Sequence, residues 1–202
     1  MKIVKNKNKL RIPTKPCESV EEGIEIANTL IWALENRTGG IGLSANQVGI
    51  SKSVSIVNAR KNKMPMILIN PVCTGVSEEK VAYIEGCISL PGKPVKTIRH
   101  KPVTVKCDNW ENEITFGPDS TELNNENYWK DEGLMEAVCV QHEMDHLEGK
   151  LITDEDIRFP VKTTQSNKIG RNQKVMVKKD DETKFLKFKK AKDLLQEGWE
   201  II

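Results

Sequence analysis

The chain has 202 residues, of which 38% are hydrophobic and 30% charged, and this composition predicts one folded domain with an appendage. No apolar run approaches the roughly 20 residues of a membrane span, and the first residues lack the apolar stretch of a secretion signal. Five scattered cysteines without a C-x-x-C pair argue against a disulfide framework. We therefore expect a cytoplasmic protein without membrane contact, and the net charge of +2 is too small to indicate nucleic-acid binding.

A helix is the first predicted element, over residues 20–36. Ser19 can cap it, Glu22 completes a capping box, and apolar residues recur on one face at helical spacing. Short β-rich runs follow, separated by prolines, which are typical of strand ends. The predicted strands are residues 53–58, 66–70, 81–84, 96–99, 103–107 and 113–116.

The next segment, residues 119–132, is long and polar, which predicts an excursion loop. A second helix is predicted over residues 134–148, because apolar residues return there at helical spacing. Gly149 is the expected stop of that helix.

The last segment, residues 158–202, is basic, with 12 Lys and Arg against 6 Asp and Glu. The residues before it carry 19 basic and 23 acidic side chains, a net charge of −4. The pattern predicts a linker, then a β-hairpin, then a short helix. These are residues 161–173 for the linker, 174–179 and 184–190 for the two strands, and 192–199 for the helix.

The most specific motif is H-E-M-D-H at residues 142–146. Two histidines four apart on a helix lie on one face, so His142 and His146 can bind one metal ion while Glu143 lies beside the metal's water. A pair of solvated histidines is the alternative, but it would not need apolar residues on its own face. The apolar residues on that face are Met135, Val138 and Cys139.

A hydrolytic metal site usually has three protein ligands and one open position for water. The third ligand could be His100, a carboxylate or a cysteine. The segment E-G-C-I-S at residues 85–89 is the best candidate, because Gly86 permits a tight turn and Cys87 can project inward. A thiolate binds zinc or iron strongly, although a buried apolar cysteine is an equal alternative on this segment alone.

A third unusual segment is G-I-G-L-S-A-N-Q at residues 40–47. Its small residues would let a peptide-like substrate approach the backbone closely. The amide of Gln47 can donate a hydrogen bond to a developing oxyanion. Taken alone, the segment is better interpreted as an ordinary loop that ends a helix.

The three segments, in this order, strongly resemble the peptide deformylase family, whose motifs are G-x-G-L-A-A-x-Q, E-G-C-L-S and Q-H-E-x-D-H-L. The resemblance covers roughly residues 10–157. It implies an α+β fold with antiparallel β-sheets packed around a central metal-binding helix. It also implies a catalytic domain over residues 1–157. The segment after residue 157 does not resemble the family's usual C-terminal helix, and its charge makes residues 158–202 a basic C-terminal extension.

The resemblance assigns roles residue by residue. The residues that match metal ligands are Cys87, His142 and His146. Glu143 matches the general acid/base, and Gln47 and the backbone N–H of Ile88 match the donors to the oxyanion. Glu85 and Arg99 match an ion pair that supports the site. The residues that match the methionine pocket are Gly42, Leu43, Met135, Val138 and Cys139.

The resemblance implies a hydrolase that removes the N-formyl group from the formylmethionine of nascent polypeptides and releases formate. A metal-bound water would attack the formyl carbon, with Glu143 taking its proton. The expected cofactor is one divalent ion per chain, Fe2+ first, with Zn2+, Ni2+ or Co2+ as alternatives. We expect a monomer.

Ser44 and Ile88 depart from the family motifs, which usually have Ala and Leu there.

Two other classes of protein share parts of this pattern. A metalloprotease with H-E-x-x-H would need a downstream third ligand, but no histidine follows His146 and the E-G-C segment would be unexplained. A structural zinc module would normally close its site with four ligands and would leave Gln47 and Glu143 unexplained. The basic extension is most simply a solvated hairpin, and the more specific hypothesis is contact with ribosomal RNA or another acidic partner.

Overall fold

The computed structural model describes residues 1–37, 39–60, 64–117, 132–157, 174–180, 182–196 and 199–201. Contacts between Cα atoms divide the chain into two compact units, Met1–Pro160 and Val161–Ile202. Within the described ranges, no helix has both the length and the apolar character that crossing a membrane requires. The predicted linker over 161–173, and the predicted loop over 119–132 except Glu132, lie outside the described residues.

The first unit combines helices with antiparallel sheets. Its helices are α1 (Lys7–Leu10), α2 (Val20–Glu35) and α3 (Glu132–Leu147), and a 3-10 turn spans Ala45–Val48. Its strands are β1 (Gly42–Ser44), β2 (Val54–Val57), β3 (Met66–Ile69), β4 (Val72–Val76), β5 (Lys80–Cys87), β6 (Leu90–His100), β7 (Val103–Lys106) and β8 (Ile114–Phe116). They form the sheets β1–β2–β3, β4–β7–β8 and β5–β6, with antiparallel neighbours throughout. The predicted α+β fold is therefore confirmed.

The sheet β1–β2–β3 separates two hydrophobic clusters, because successive side chains of a strand point to opposite faces. Ile56 and Ile69 pack in the cluster with α2. Their neighbours Val57 and Leu68 pack in the other cluster, which contains the apolar face of α3. Helix α3 is thereby packed against a sheet that is buried along β1 and β2.

Strands β5 and β6 are longer than predicted, and two prolines expected at strand ends lie inside β6. Cys87 pairs with Leu90, but the register then jumps to Val95 as the next paired residue of β6. Pro91 and Pro94 fall in this interval, where the missing N–H group of proline interrupts no rung of the ladder. The irregularity lies opposite Gly86 of the E-G-C segment, so Cys87 is on a strand end and the turn follows it.

The second unit contains β9 (Lys174–Lys179), β10 (Glu182–Lys187), α4 (Phe188–Gln196) and β11 (Glu200–Ile201). These strands form an antiparallel sheet in the order β10–β9–β11. The helix begins at Phe188, inside the segment predicted as the second strand, so that boundary was wrong. The reason is that Ala191, Leu194 and Leu195 recur at helical spacing and pack with Trp199.

Helix α3 ends in a Schellman motif around Gly149. The N–H of Gly149 donates to His146 O at 3.1 Å, and the N–H of Lys150 donates to Asp145 O at 2.8 Å. Gly149 has φ +77°, a left-handed conformation that favours glycine. A Cβ atom there would also lie 2.7 Å from the carbonyl carbon of Arg11. Glycine thus allows the chain after α1 to pass directly beside the end of α3.

We predict that Gly149→Ala destabilises the protein more than Gly39→Ala. Gly39 has φ +86°, but its Cβ would meet no described atom within 4 Å. Its substitution should cost about 1 kcal/mol for the left-handed conformation alone. Gly149→Ala adds a clash with backbone and should cost about 3 kcal/mol. Urea denaturation of both variants measures the two free energies of unfolding, and equal losses would contradict this packing of α3.

Candidate metal centre

Helix α3 and the end of β5 bring the three predicted metal ligands together. The ring centroids of His142 and His146 are 5.0 Å apart, one helical turn along the same face. Cys87 Sγ lies 3.1 Å from His146 Nε2, and the donor atoms of all three residues lie within 4.8 Å of one another. His100, another candidate ligand, is elsewhere, with Nδ1 2.8 Å from Ser77 O.

The nitrogens of His142 are arranged as metal ligation requires. His142 Nδ1 lies 2.7 Å from Glu85 Oε2, which leaves Nε2 as its ligand atom. Burial lowers the pKa of His146 to about 3, helped by the positive charges of His142 and Arg99, so its ring is neutral. Burial also lowers the pKa of His142, but hydrogen bonds to Cys87 and Glu85 outweigh it and raise that pKa well above its usual value. A cation bound to His142 would therefore displace a proton.

The donor set fits a divalent transition metal. One thiolate and two imidazoles suit zinc or iron, and three protein ligands with a cavity beside them leave a position for water. Two of the three donors are almost completely buried, since His142 is 8% and His146 1% exposed. Donor atoms that lie close together in a buried site repel one another through their lone pairs. A cation between them would reduce this repulsion.

Glu85 and Arg99 form a buried ion pair behind the metal ligands. Arg99 Nε donates to Glu85 Oε1 at 2.6 Å, and Arg99 Nη2 donates to Oε2 at 2.9 Å. Burial raises the pKa of Glu85, but hydrogen bonds from His142 and Arg99 lower it to about 2. The carboxylate is therefore ionised and fixes the orientation of the His142 ring.

Two further residues of this network were not predicted. Arg99 Nη1 donates to Asp145 Oδ2 at 2.5 Å, and the hydroxyl of Thr97 donates to Glu85. Sequence signals for both existed, because Asp145 lies inside the H-E-M-D-H motif and Thr97 lies two residues before Arg99 on the same strand face. The network ties α3 to β5 and β6 at the point where the ligands converge.

Glu143 lies on the cavity side of α3, against β1. Its carboxylate accepts a hydrogen bond from Ser44 Oγ at 2.5 Å. Burial raises the pKa of Glu143, while His142 and the Ser44 hydrogen bond lower it, and the net direction is upward. A Cβ atom on Gly42 would lie 2.7 Å from Cys139 Sγ and still closer to Glu143 Oε1. Glycine at position 42 is thus what allows the carboxylate to approach the backbone of β1.

The amide of Gln47 has a defined orientation. Gln47 Oε1 accepts a hydrogen bond from the Ser44 N–H at 2.8 Å, so the amide nitrogen must point the other way. Gln47 Nε2 lies 3.1 Å from Ser89 Oγ and 3.7 Å from Cys87 Sγ. The amide therefore presents its N–H groups beside the candidate ligands. Ile88, the other predicted donor, follows Cys87 in the chain and lines the same cavity.

A cavity of about 810 Å³ opens beside these groups. Four of the five residues predicted to bind methionine line it, namely Gly42, Met135, Val138 and Cys139. Leu43, the fifth, is not among the residues that line the cavity. Alternation along β1 turns Leu43 away from Gly42 and Ser44, and its side chain is completely buried in the cluster with α2. Residues of β5 and β6 that the sequence did not suggest also line the cavity, among them Tyr83, Leu90 and Val95.

A helix with H-E-x-x-H facing an open cavity, with a third ligand from a neighbouring strand, is the arrangement of a metal-dependent hydrolase. The family model for polypeptide deformylase matches residues 1–159. The peptide deformylase of Saccharophagus degradans is 35% identical over 148 residues, covering 72% of this chain and 78% of the relative. That of Borreliella burgdorferi is 32% identical over 145 residues, covering 72% and 80%.

Solved structures agree with the sequence comparisons. The peptide deformylase from Thermotoga maritima superposes with a TM-score of 0.60 at 28% identity, covering 79% of this chain and 97% of that one. A class I type b peptide deformylase from Acinetobacter baumannii has a TM-score of 0.60 at 27% identity, covering 75% and 95%. The chain belongs to the peptide deformylase family, hydrolases that remove N-formyl groups from nascent peptides.

We predict that Cys87→Ala removes a thiolate ligand from bound Co2+, whereas Cys107→Ala does not. Cys107 is also buried, but it packs in the hydrophobic cluster with α3. Anaerobic reconstitution with Co2+ should give a sulfur-to-cobalt charge-transfer band in the wild type and in Cys107→Ala, and none in Cys87→Ala. A Cys87→Ala protein that kept the band would exclude Cys87 as the ligand.

Proposed function

We propose that the chain hydrolyses the N-formyl group of N-formylmethionyl nascent peptides, with one divalent metal ion held by Cys87, His142 and His146. The observation that carries this proposal is the position of Glu143 between the two histidines, facing a cavity that also contains the Gln47 amide. The third donor, Cys87, lies upstream of the histidines, whereas the rival metalloprotease requires a downstream ligand. Family membership supports the same reaction.

The metal would supply an acidified water, because coordination lowers the pKa of water from about 15.7 to roughly 7. We assign the proton transfers to Glu143. Its Oε1, beside Gly42, takes the proton of the attacking water and later returns it to the leaving amide nitrogen. Its raised pKa, caused by burial, suits a group that must both accept and release a proton.

We assign the binding of the oxyanion to two donors, Gln47 Nε2 and the N–H of Ile88. The Gln47 amide is held in advance by its bond to Ser44, so its donation to the oxyanion requires little reorganisation. Removal of one such donor typically lowers the rate by about 10²–10³. The methionine side chain would pack against the apolar part of the cavity, on Met135, Val138 and Cys139.

We propose Fe2+ as the native ion, with Zn2+, Ni2+ or Co2+ able to occupy the same three donors. The support is the family resemblance together with a thiolate and two imidazoles, a donor set that binds each of these metals.

The proposed enzyme works as a monomer in the cytoplasm, where nascent chains begin. Residues 1–157 would form the catalytic domain, and residues 158–202 would form its extension.

We also propose that the extension contacts ribosomal RNA. The segment has a net charge of +6, and many of its described lysines are exposed. The exposed lysines are Lys178, Lys179, Lys184, Lys187, Lys189, Lys190 and Lys192. A basic surface of this kind binds phosphates by releasing counterions, which makes the affinity depend on salt.

Glu143→Ala should bind metal normally but release formate from a formyl-Met peptide about 10²–10⁴ times more slowly. The matched control is Glu148→Ala, which removes an exposed carboxylate near the end of the same helix. Formate release and metal content, measured on the same samples, separate a lost proton acceptor from a lost metal. Normal turnover by Glu143→Ala would contradict the assignment.

Replacing Lys187, Lys189 and Lys190 with Gln should weaken ribosome binding. It should also reduce the slope of log affinity against log salt concentration by about one unit for each phosphate that is no longer neutralised. The control replaces three exposed lysines of the first unit, Lys9, Lys15 and Lys80, with Gln. Cosedimentation with ribosomes over a series of salt concentrations measures both slopes. Identical slopes for the two triple variants would show that the extension does not contact the ribosome.

A further inference from the structure

Ser44 contacts the proposed proton acceptor from the strand opposite α3. Its side chain is completely buried on β1, and Oγ donates to Glu143 Oε2 at 2.5 Å. The same Oγ lies 3.0 Å from the backbone oxygen of Glu143. The alanine of the family motif could make neither hydrogen bond.

The two oxygens of the Glu143 carboxylate have different surroundings. Oε2 is held by the Ser44 hydroxyl, while Oε1 lies next to Gly42, which lines the cavity. A carboxylate that is fixed at one oxygen can no longer rotate freely about its last side-chain bond. The remaining oxygen is then held in one position relative to the substrate.

We propose that Ser44 is a positioning residue, whose hydroxyl holds Glu143 so that Oε1 is the oxygen that exchanges protons. This inference rests on the proposed role of Glu143. A hydrogen bond to a buried carboxylate is stronger than one between neutral groups, so it can select one conformation of a flexible side chain. Close alignment of a reacting group lowers the barrier without changing how tightly the substrate binds.

The hydroxyl has a partner in both states that the reaction requires. When the carboxylate is ionised, Ser44 Oγ donates to Oε2. When Glu143 carries the proton on Oε1, Oε2 is a carbonyl oxygen that still accepts from Ser44 Oγ, so the carboxyl group stays in place and no buried donor is left unpaired. Ser44 itself transfers no proton.

The strand next to β1 offers a matched control for this hydroxyl. Ser55 lies directly opposite Ser44 in the β1–β2 ladder and is equally buried. In the described part of the chain its Oγ has no hydrogen-bond partner. Ser55→Ala and Ser44→Ala therefore remove the same buried group, but only Ser44→Ala removes the contact with Glu143. The Ser44 N–H bond to Gln47 Oε1 is made by the backbone and survives both substitutions. The Ser44 side chain also faces the Gln47 N–H in a capping box, and Ser44→Thr keeps that hydroxyl.

The test is steady-state formate release by metal-loaded wild type, Ser44→Ala and Ser55→Ala with a formyl-Met-Ala-Ser peptide. We expect Ser44→Ala to lower kcat by about tenfold or more, with KM within twofold and normal metal content. Ser55→Ala should keep kcat within twofold. Ser44→Thr, which keeps a hydroxyl, should recover most of kcat and also serves if the alanine variant does not fold.

Three results would overturn the proposal. The first is a kcat for Ser44→Ala within twofold of Ser55→Ala, and the second is a decrease in kcat that follows metal content. The third is a folded, metal-loaded Ser44→Thr that stays below a tenth of the wild-type kcat. Such results would contradict only the role of Ser44 and not the proposed function, provided that the wild type releases formate and Glu143→Ala does not. If the wild type itself releases no formate, both proposals fall together.

Discussion

The buried carboxylate of Glu85 is the group on which the arrangement of the site depends. Arg99 donates hydrogen bonds to both of its oxygens, and Oε2 also lies within hydrogen-bond distance of His142 Nδ1. This one side chain therefore joins β5, β6 and α3. Removing one partner of such a buried pair costs about 3–5 kcal/mol, because the remaining charge is left desolvated. The same contact turns His142 Nε2 toward Cys87. Stability and ligand orientation therefore depend on one interaction.

Close backbone approach is the second constraint, and glycine supplies it twice. Gly149 lets the chain after α1 pass beside the end of α3, one turn from His146. Gly42 lets the Glu143 carboxylate lie directly against β1, where Ser44 can reach it. Helix α3 is thus fixed from three sides, by the sheet beneath it, by the Glu85 network and by these close contacts. A rigid helix is what a site needs when two of its ligands and its proposed proton acceptor lie on the same helix.

The sequence could predict the groups that one helix or one motif brings together, and it failed where tertiary contacts decide. His142 and His146 follow from helical spacing, and Cys87 follows from the order of the motifs. The contact between Ser44 and Glu143 joins residues 99 apart in the chain, which no local pattern encodes. Leu43 shares its motif with Gly42, and a motif does not say which residues of β1 face α3.

The most direct test of this account combines metal analysis with formate release on the same anaerobic samples. Apo-protein is titrated with Fe2+, and bound metal and turnover of a formyl-Met peptide are measured at each step. The account predicts that turnover rises in proportion to bound metal and reaches its maximum at one ion per chain. Substantial turnover without metal, or a maximum that requires a second ion, would contradict a single site formed by Cys87, His142 and His146.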